Sequence, residues 1–460
     1  MAEKTSKPKT PARSRTPHSV EFLKYMASGW ADRPNQTVEA NRASPWAKLR
    51  RAKVAAEFSG KLIRIDAGST KVRSNDTDYR FRPHSAFTHL TGWGSETVPD
   101  SVLLIEPDGS AVLYFRPTAN RDSDEFFANP AIGEFWVGAR AGLAEISQLL
   151  QIETRDLNEL GNHPGLKTAI DLSNPDLARF VSELRLVKDE FEIEQLRSAV
   201  AKSIKGFEAV VRALPTAVKS PRGERVLETA FFAVAREEGN ELGYDTISAA
   251  GPHACILHWI INNGETRAGE LVLLDAGVEL ETLYTADLTR TLPINGRYTE
   301  LQKTLHEAVR EAADAAFAVV KPGVKFREVH QAAMQVIAQK CADWGLLKVS
   351  AAESLEPDKQ FHRRWMVHGT SHHLGLDVHD CAQARNEMYL DAELQPGMVF
   401  TIEPGLYFQP DDLLVPAEFR GIGIRIEDDI LVTETGAENL SAALPRSADE
   451  IEEWMKQLAH

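Results

Sequence analysis

Cysteine is scarce in this chain: Cys255, Cys341 and Cys381 are the only three in 460 residues. They are odd in number, widely separated and never in a CxxC pair. This excludes a thiolate zinc motif, a dithiol redox motif and a disulfide framework. Reduced thiols in a cytoplasmic protein are the simplest reading. Long apolar runs are also missing. None reaches the roughly 20 residues that a membrane-spanning helix needs, and the N-terminus carries charge without the apolar stretch of a secretory signal. Positive charge is in deficit, with 52 Lys and Arg against 67 Asp and Glu, a formal net charge of −15. Such a surface repels phosphate backbones, so neither nucleic acid nor a membrane is expected as a partner.

What is present suffices for two cores, because 460 residues with 43% apolar side chains are long for one domain. Residues 1–44 read as a flexible tail and lead-in. The first 17 are basic and Pro/Ser/Thr-rich, with too little apolar surface to order themselves. Residues 45–175 mix strands and helices. Ser101–Glu106, the turn Pro107-Asp-Gly and Ser110–Phe115 form an expected hairpin, 140–150 a helix, and 168–172 a buried strand. This is a smaller α/β domain without evident chemistry.

A linker at 176–190 precedes a larger domain at 191–445, and 446–460 read as a C-terminal tail. Ile193, Leu196, Val200, Ile204, Phe207, Val211 and Leu214 recur at spacings of three and four, marking a long amphipathic helix that ends at Pro215. Further helices are expected at 222–238, 299–320 and 325–344. Strands rich in β-branched residues are expected at 270–275, 286–294, 398–404 and 422–433. The pattern is α+β, with helices covering a curved antiparallel sheet.

Two hairpin-like segments each carry a pair of acids. In the first, Leu271-Val-Leu-Leu-Asp275-Ala-Gly is followed by Thr285-Ala-Asp287-Leu-Thr-Arg290. In the second, Met398-Val-Phe-Thr-Ile-Glu403-Pro-Gly is followed by Gly421-Ile-Gly-Ile-Arg425-Ile-Glu427-Asp-Asp. A carboxylate ending an apolar strand is costly unless paired, protonated or metal-bound. Four converging carboxylates repel one another strongly in a low-dielectric site, and divalent cations relieve that repulsion. An imidazole is available in His368-Gly-Thr-Ser-His372-His373-Leu-Gly-Leu-Asp377-Val-His379-Asp380. Four carboxylates and an imidazole suit Mn²⁺, Co²⁺, Fe²⁺ or Zn²⁺. Bridging carboxylates would hold two ions about 3.5 Å apart.

Singly, each feature has a plainer explanation. Asp275 and Glu403 could cap turns, Asp287 and Arg290 could be a ladder ion pair, and Glu427-Asp-Asp could be a solvated edge. His258, His368 and His379 could be structural, Tyr244 and Tyr407 core aromatics, and Arg425 a neutralising partner of nearby acids. Together and in this order the acids and histidines are not explained that way.

The same motifs resemble the pita-bread metallopeptidases and, within them, the aminopeptidase P (Xaa-Pro aminopeptidase) group. The resemblance is carried by CILHW around His258, LLDAG, ADLTRT, HGTSHHLGLDVHD, TIEPGLY and GIGIRIEDD, and it spans about 45–445. DYRFRPHSAFTHLTGW is similar to that group's first domain. The Asp275–Asp287 spacing is one residue longer than the bacterial pattern and is assigned to the turn 279–283. The resemblance implies two divalent ions, Mn²⁺ foremost, held by Asp275, Asp287, His372, Glu403 and Glu427, with Asp287 and Glu427 bridging. It implies release of the residue preceding proline from Xaa-Pro-Yaa peptides by attack of a metal-activated hydroxide. Glu403 would shuttle the proton, His258 and His368 would contact the proline side, and His379 would stabilise the oxyanion. Arg425 would orient the acids, and Tyr244 and Tyr407 would line or support the pocket. His373 is left out, since neighbours on an extended segment point apart. A homodimer or homotetramer is implied.

Three rivals stand beside this reading. A prolidase would use the same metal set on dipeptides, and Ser371 argues for aminopeptidase P over it. A creatinase-like C–N hydrolase, or a binding protein on the same scaffold, would lack the acidic ligands that are all present here.

Overall fold

A computed structural model describes residues 19–31, 38–75 and 77–458. The basic segment 1–17, read above as a tail, lies outside the described residues. The chain divides into two compact units, Met1–Ala178 and Arg179–His460.

The first unit is built on a four-stranded sheet in the order Ile63–Asp66, Val102–Ile105, Ala111–Phe115, Glu153–Asp156. The expected hairpin forms, with Val102 opposite Tyr114, and the last strand joins in parallel. The helix at 140–150 is shorter than expected, Leu143–Leu150. The buried strand expected at 168–172 is absent. Leu166–Thr168 is a 3₁₀ turn, and Ile170 makes one isolated parallel bridge to Ile63. Its apolar residues are too few and only half-buried to hold a ladder. The expected lead-in 1–44 also contains a helix, Val20–Ala27, capped by Ser19.

Helix Pro175–Glu183 occupies most of the expected linker. In the second unit, Asp189 caps helix Glu190–Ala217 through a reciprocal box with Glu192. That helix runs two residues past Pro215, which sits in its last turn, where only one main-chain hydrogen bond is forfeited. Helices Gly223–Glu238, Glu300–Ala318 and Phe326–Asp343 follow as expected. The expected tail 446–460 instead holds helix Ala448–Leu458, because Ala448, Ile451 and Met455 share one face and are buried. Among the described residues no helix is long and apolar enough to cross a membrane.

The strands of this unit pair antiparallel. Ile247–Ala250, Leu271–Ala276 and Leu288–Pro293 form one ladder, with Ile247 and Thr289 flanking Asp275. Val399–Ile402 pairs with Asp428–Val432, and Gly405–Phe408 with Ile422–Arg425. A bridge between Thr289 and Glu427 joins the two halves. The period of two decides what each face meets. Val272, Leu274 and Ala276 pack with the helices Glu190–Ala217 and Gly223–Glu238. Leu271 and Leu273 pack on the other side with Glu300–Ala318 and Phe326–Asp343. Asp275 continues that second face at the point where the core opens into a cavity.

Candidate metal centre

Register alone draws the acids together. Asp275 lies opposite Thr289, two residues after Asp287, which immediately precedes strand Leu288–Pro293, and Thr289 is bridged to Glu427. Thr401 and Ile402 pair with Asp429 and Asp428, which carries Glu403 to the level of Glu427. The connection from Asp275 to Asp287 makes a tight turn where Leu283 takes φ +69° and Glu279 bridges Thr285. Gly277 makes the approach possible, since a Cβ there would lie 1.7 Å from the Ala286 carbonyl oxygen.

The result is a cavity of about 490 Å³ onto which Asp275, Asp287, Glu403 and Glu427 all open. His258, His368, His372, His379, Arg425 and Tyr244 line it as well. Tyr407 does not. It stands behind the wall, donating to His368 Nε2 at 2.7 Å and accepting from Arg425 Nη1 at 3.0 Å. His373 turns away into the core and stacks on Phe326 at a centroid distance of 4.8 Å.

Candidate ligand atoms of Asp287, His372 and Glu427 all lie within 4.8 Å of one another. His372 Nε2 is 3.3 Å from Asp287 Oδ2 and 3.5 Å from Glu403 Oε1. The Tyr244 hydroxyl reaches Asp275 Oδ1 at 2.6 Å and Asp287 Oδ1 at 2.5 Å. Arg425 Nη2 donates to Asp275, and its Nε donates to Thr289 Oγ1 at 3.2 Å. Thr289 Oγ1 in turn donates to Glu427 Oε2 at 2.7 Å.

Electrostatics shows what the cluster lacks. Burial raises Asp275, with Arg425 pulling the other way, and burial raises Glu403 to about 7. Burial and the neighbouring Asp287 and Glu403 charges lift Glu427 well above the carboxylate range. Burial disfavours charge on His372, yet the Asp287 hydrogen bond and the Glu403 charge outweigh it and raise the ring to about 9. Burial, then the Arg425 charge, lowers His368 to about 3, and burial lowers His379. Among the described residues Arg425 is the one guanidinium lining the cavity, so much of the carboxylate repulsion is left for protons or cations to relieve. An oxygen-rich set with one imidazole fits divalent cations in place of those protons.

Three residues escaped the sequence reading. Arg290 does not pair with Asp287. It is fully buried and bonds Asp428 Oδ1 at 2.7 Å, together with the carbonyls of Glu427, Leu444 and Pro445. Asp428 and Asp429 are buried, not a solvated edge. Asp429 Oδ2 accepts the Asp287 N–H at 3.2 Å, which steadies the candidate bridging residue from behind. The available signal was the strand period, which puts Glu427 and Asp429 on one face. The three cysteines are free and buried.

Comparison with known proteins places this geometry in context. Metallopeptidase family M24 matches residues 194–434, and the N-terminal domain of aminopeptidase P matches residues 47–171. Xaa-Pro aminopeptidase 1 of Streptomyces coelicolor is 48% identical over 463 residues, covering 96% of this chain and 93% of that one. The Xaa-Pro aminopeptidase of Escherichia coli is 33% identical, covering 89% and 96%. The solved structure of aminopeptidase P from Escherichia coli with the inhibitor Pro-Leu superposes with a TM-score of 0.79 at 30% identity, covering 91% of this chain and 99% of that chain.

Proposed function

The chain belongs to metallopeptidase family M24, and on that premise we propose a dinuclear-metal aminopeptidase that releases the residue preceding a proline in position two of a peptide. The observation that carries the reading is the convergence of Asp275, Asp287, Glu403, Glu427 and His372 on one cavity. The relatives' name, Xaa-Pro aminopeptidase, supports the proline requirement.

Asp275, Asp287, His372, Glu403 and Glu427 would hold two divalent ions, Mn²⁺ foremost, with Co²⁺, Fe²⁺ or Zn²⁺ as alternatives. Divalent ions held there would supply an acidified water and a polarised scissile carbonyl. The remaining work falls to the side chains. Glu403 takes the proton of the attacking water and delivers it to the proline nitrogen, which must be protonated to leave. The His379 ring sits edge-on to His372 with centroids 4.3 Å apart, and its N–H serves the developing oxyanion. His368 is pinned as a neutral ring, with Nδ1 against the Gly369 carbonyl and Nε2 accepting from Tyr407. Both nitrogens are thereby engaged, and the ring's carbon edge is left for the proline. His258 closes the proline side from the facing loop. Arg425 holds Asp275 directly and His368 through Tyr407. A homo-oligomer and a cytoplasmic location complete the reading, and a monomer in sedimentation velocity would remove the first.

The test supplies the Mn²⁺-loaded protein with Gly-Pro-Leu and with Gly-Pro and reads the products by mass. Glycine released from the tripeptide, with the dipeptide slow, is the expected result. Ser371, which lines the cavity, supports this preference through the resemblance of its motif to aminopeptidase P. Cleavage of the dipeptide alone would make the protein a prolidase.

A further inference from the structure

Glu224 is the second residue of helix Gly223–Glu238 and is fully buried. Its carboxylate receives four donors. Oε1 accepts the Ala250 N–H at 2.8 Å and lies 2.7 Å from His253 Nδ1. Oε2 accepts the Trp259 indole N–H at 2.9 Å and the Gly264 N–H at 2.6 Å. The indole and the His253 ring also stack, with centroids 3.8 Å apart. Gly264 is required for this approach, since a Cβ there would come within 2.8 Å of both the Glu224 carboxylate and His253.

These four donors belong to one loop. It leaves strand Ile247–Ala250, makes the 3₁₀ turn Gly251–Cys255 and runs without strand or helix to 264. Its second anchor is Asn262, at φ +47°, whose side chain accepts from the Ser248 N–H and donates to the Thr246 carbonyl at the strand's start. Within 251–262 the main chain makes two internal hydrogen bonds, Ile256 N–H to the His253 carbonyl and Ile260 N–H to the His258 carbonyl. Ile256, Ile260 and Ile261 are exposed, while Leu257 and Trp259 pack against the core and Arg225 Nη2 donates to the Ile261 carbonyl, so apolar packing holds only part of this stretch. His258 sits in it, facing the metal cavity, directly before the locked Trp259.

We infer that Glu224 is the positioning residue for His258, clamping its loop at the start, the middle and the end from outside the cavity. The inference rests on the reading above that His258 serves the substrate. An unpaired buried carboxylate is costly, and an apolar side chain could fill the same space. What only a carboxylate does here is accept from four separated points of the loop at once.

The test uses the Mn²⁺-loaded full chain with Glu224→Gln, which keeps the shape but turns one acceptor into a donor facing two N–H groups. Amide hydrogen exchange in 251–264 should quicken about tenfold or more, while helices Glu300–Ala318 and Phe326–Asp343 stay protected. kcat/KM for Gly-Pro-Leu should fall between about ten- and a hundredfold, as expected when a catalytic site loses about 1 Å of register. In a His258→Ala background the same substitution should change kcat/KM by less than about twofold. Losses that multiply in the double variant, or exchange that rises everywhere, would overturn the assignment. Trp259→Phe, which removes one donor and spares the buried carboxylate, guards against a Glu224→Gln protein that does not fold. It should show the same localised exchange to a smaller degree, and unchanged exchange in it would count against the clamp. Should the parent protein leave Gly-Pro-Leu intact, the functional reading fails, while the exchange data still decide the clamp.

Discussion

Replacing Arg290 by methionine should cost the second unit about 3–5 kcal/mol, the range for stripping one partner from a buried ion pair. The structure argues for the lower half. Asp428 would keep the Ser441 hydroxyl at 2.7 Å and Arg446 Nη1 at 3.4 Å, and the Thr289 carbonyl would keep the Glu427 N–H at 3.1 Å. The Glu427, Leu444 and Pro445 carbonyls would still lose their Arg290 donor. At roughly 2 °C per kcal/mol for a unit of this size, the melting temperature should fall by about 6–8 °C. Melting is followed by circular dichroism in EDTA, so that metal binding does not add its own stabilisation. Adding Asp428→Asn removes the carboxylate that has lost its closest cation and should return about 1–2 kcal/mol, the rest of the cost lying in the three carbonyls left without their donor. A single variant that melts within 1 °C of the parent, or a double variant that is worse than the single, would refute the reasoning.

Other substitutions probe separate parts of the account. Tyr244→Phe removes the hydroxyl shared by Asp275 and Asp287 and should weaken Mn²⁺ binding about 10- to 100-fold in titration calorimetry. An unchanged affinity would free Tyr244 of any role at the metals. The hydrogen bond from Arg364, aided by the Leu414 N–H and the Trp365 indole, lowers Asp412 to about 2, below its ordinary 3.8. A lowered folded pKa adds stability that is present above about pH 4 and lost as pH falls towards 2. Denaturant melts of Asp412→Asn and the parent should therefore differ at pH 7 and converge below pH 4. Arg364 is half-exposed, so the difference at pH 7 should be only about 1 kcal/mol. Ile451→Ala in the C-terminal helix should cost about 2–4 kcal/mol, since Ile451 is fully buried. A cost below 0.5 kcal/mol would restore the reading of 446–460 as a tail.

The candidate metal centre was legible because its chemistry is written in short, local motifs. An acid at the end of an apolar strand is conspicuous, and each hairpin brings its own pair together without help from distant sequence. The helix Glu190–Ala217 was legible through the spacing of its apolar residues. What supports the site was not. Arg290 finds Asp428 across 138 positions, and Glu224 finds Trp259 across 35. No local pattern names such a partner, because a buried charge and an exposed one look alike in sequence. The helix Ala448–Leu458 had a readable signal in Ala448, Ile451 and Met455, but its many acids masked so short an apolar stripe. At 168–172 the error ran the other way. A short apolar segment suggested a buried strand where the neighbouring strand offers only one bridge.

The central claim is that hydrolysis before proline runs on two divalent ions held by Asp275, Asp287, His372, Glu403 and Glu427. The most direct test strips the protein with a chelator, titrates Mn²⁺ back, and follows bound metal and glycine release from Gly-Pro-Leu in the same samples. The account predicts no release without metal, full release as two equivalents bind, and loss of both binding and release in Asp287→Asn. Release from the metal-free protein, or full release by an Asp287→Asn protein that binds no metal, would contradict it.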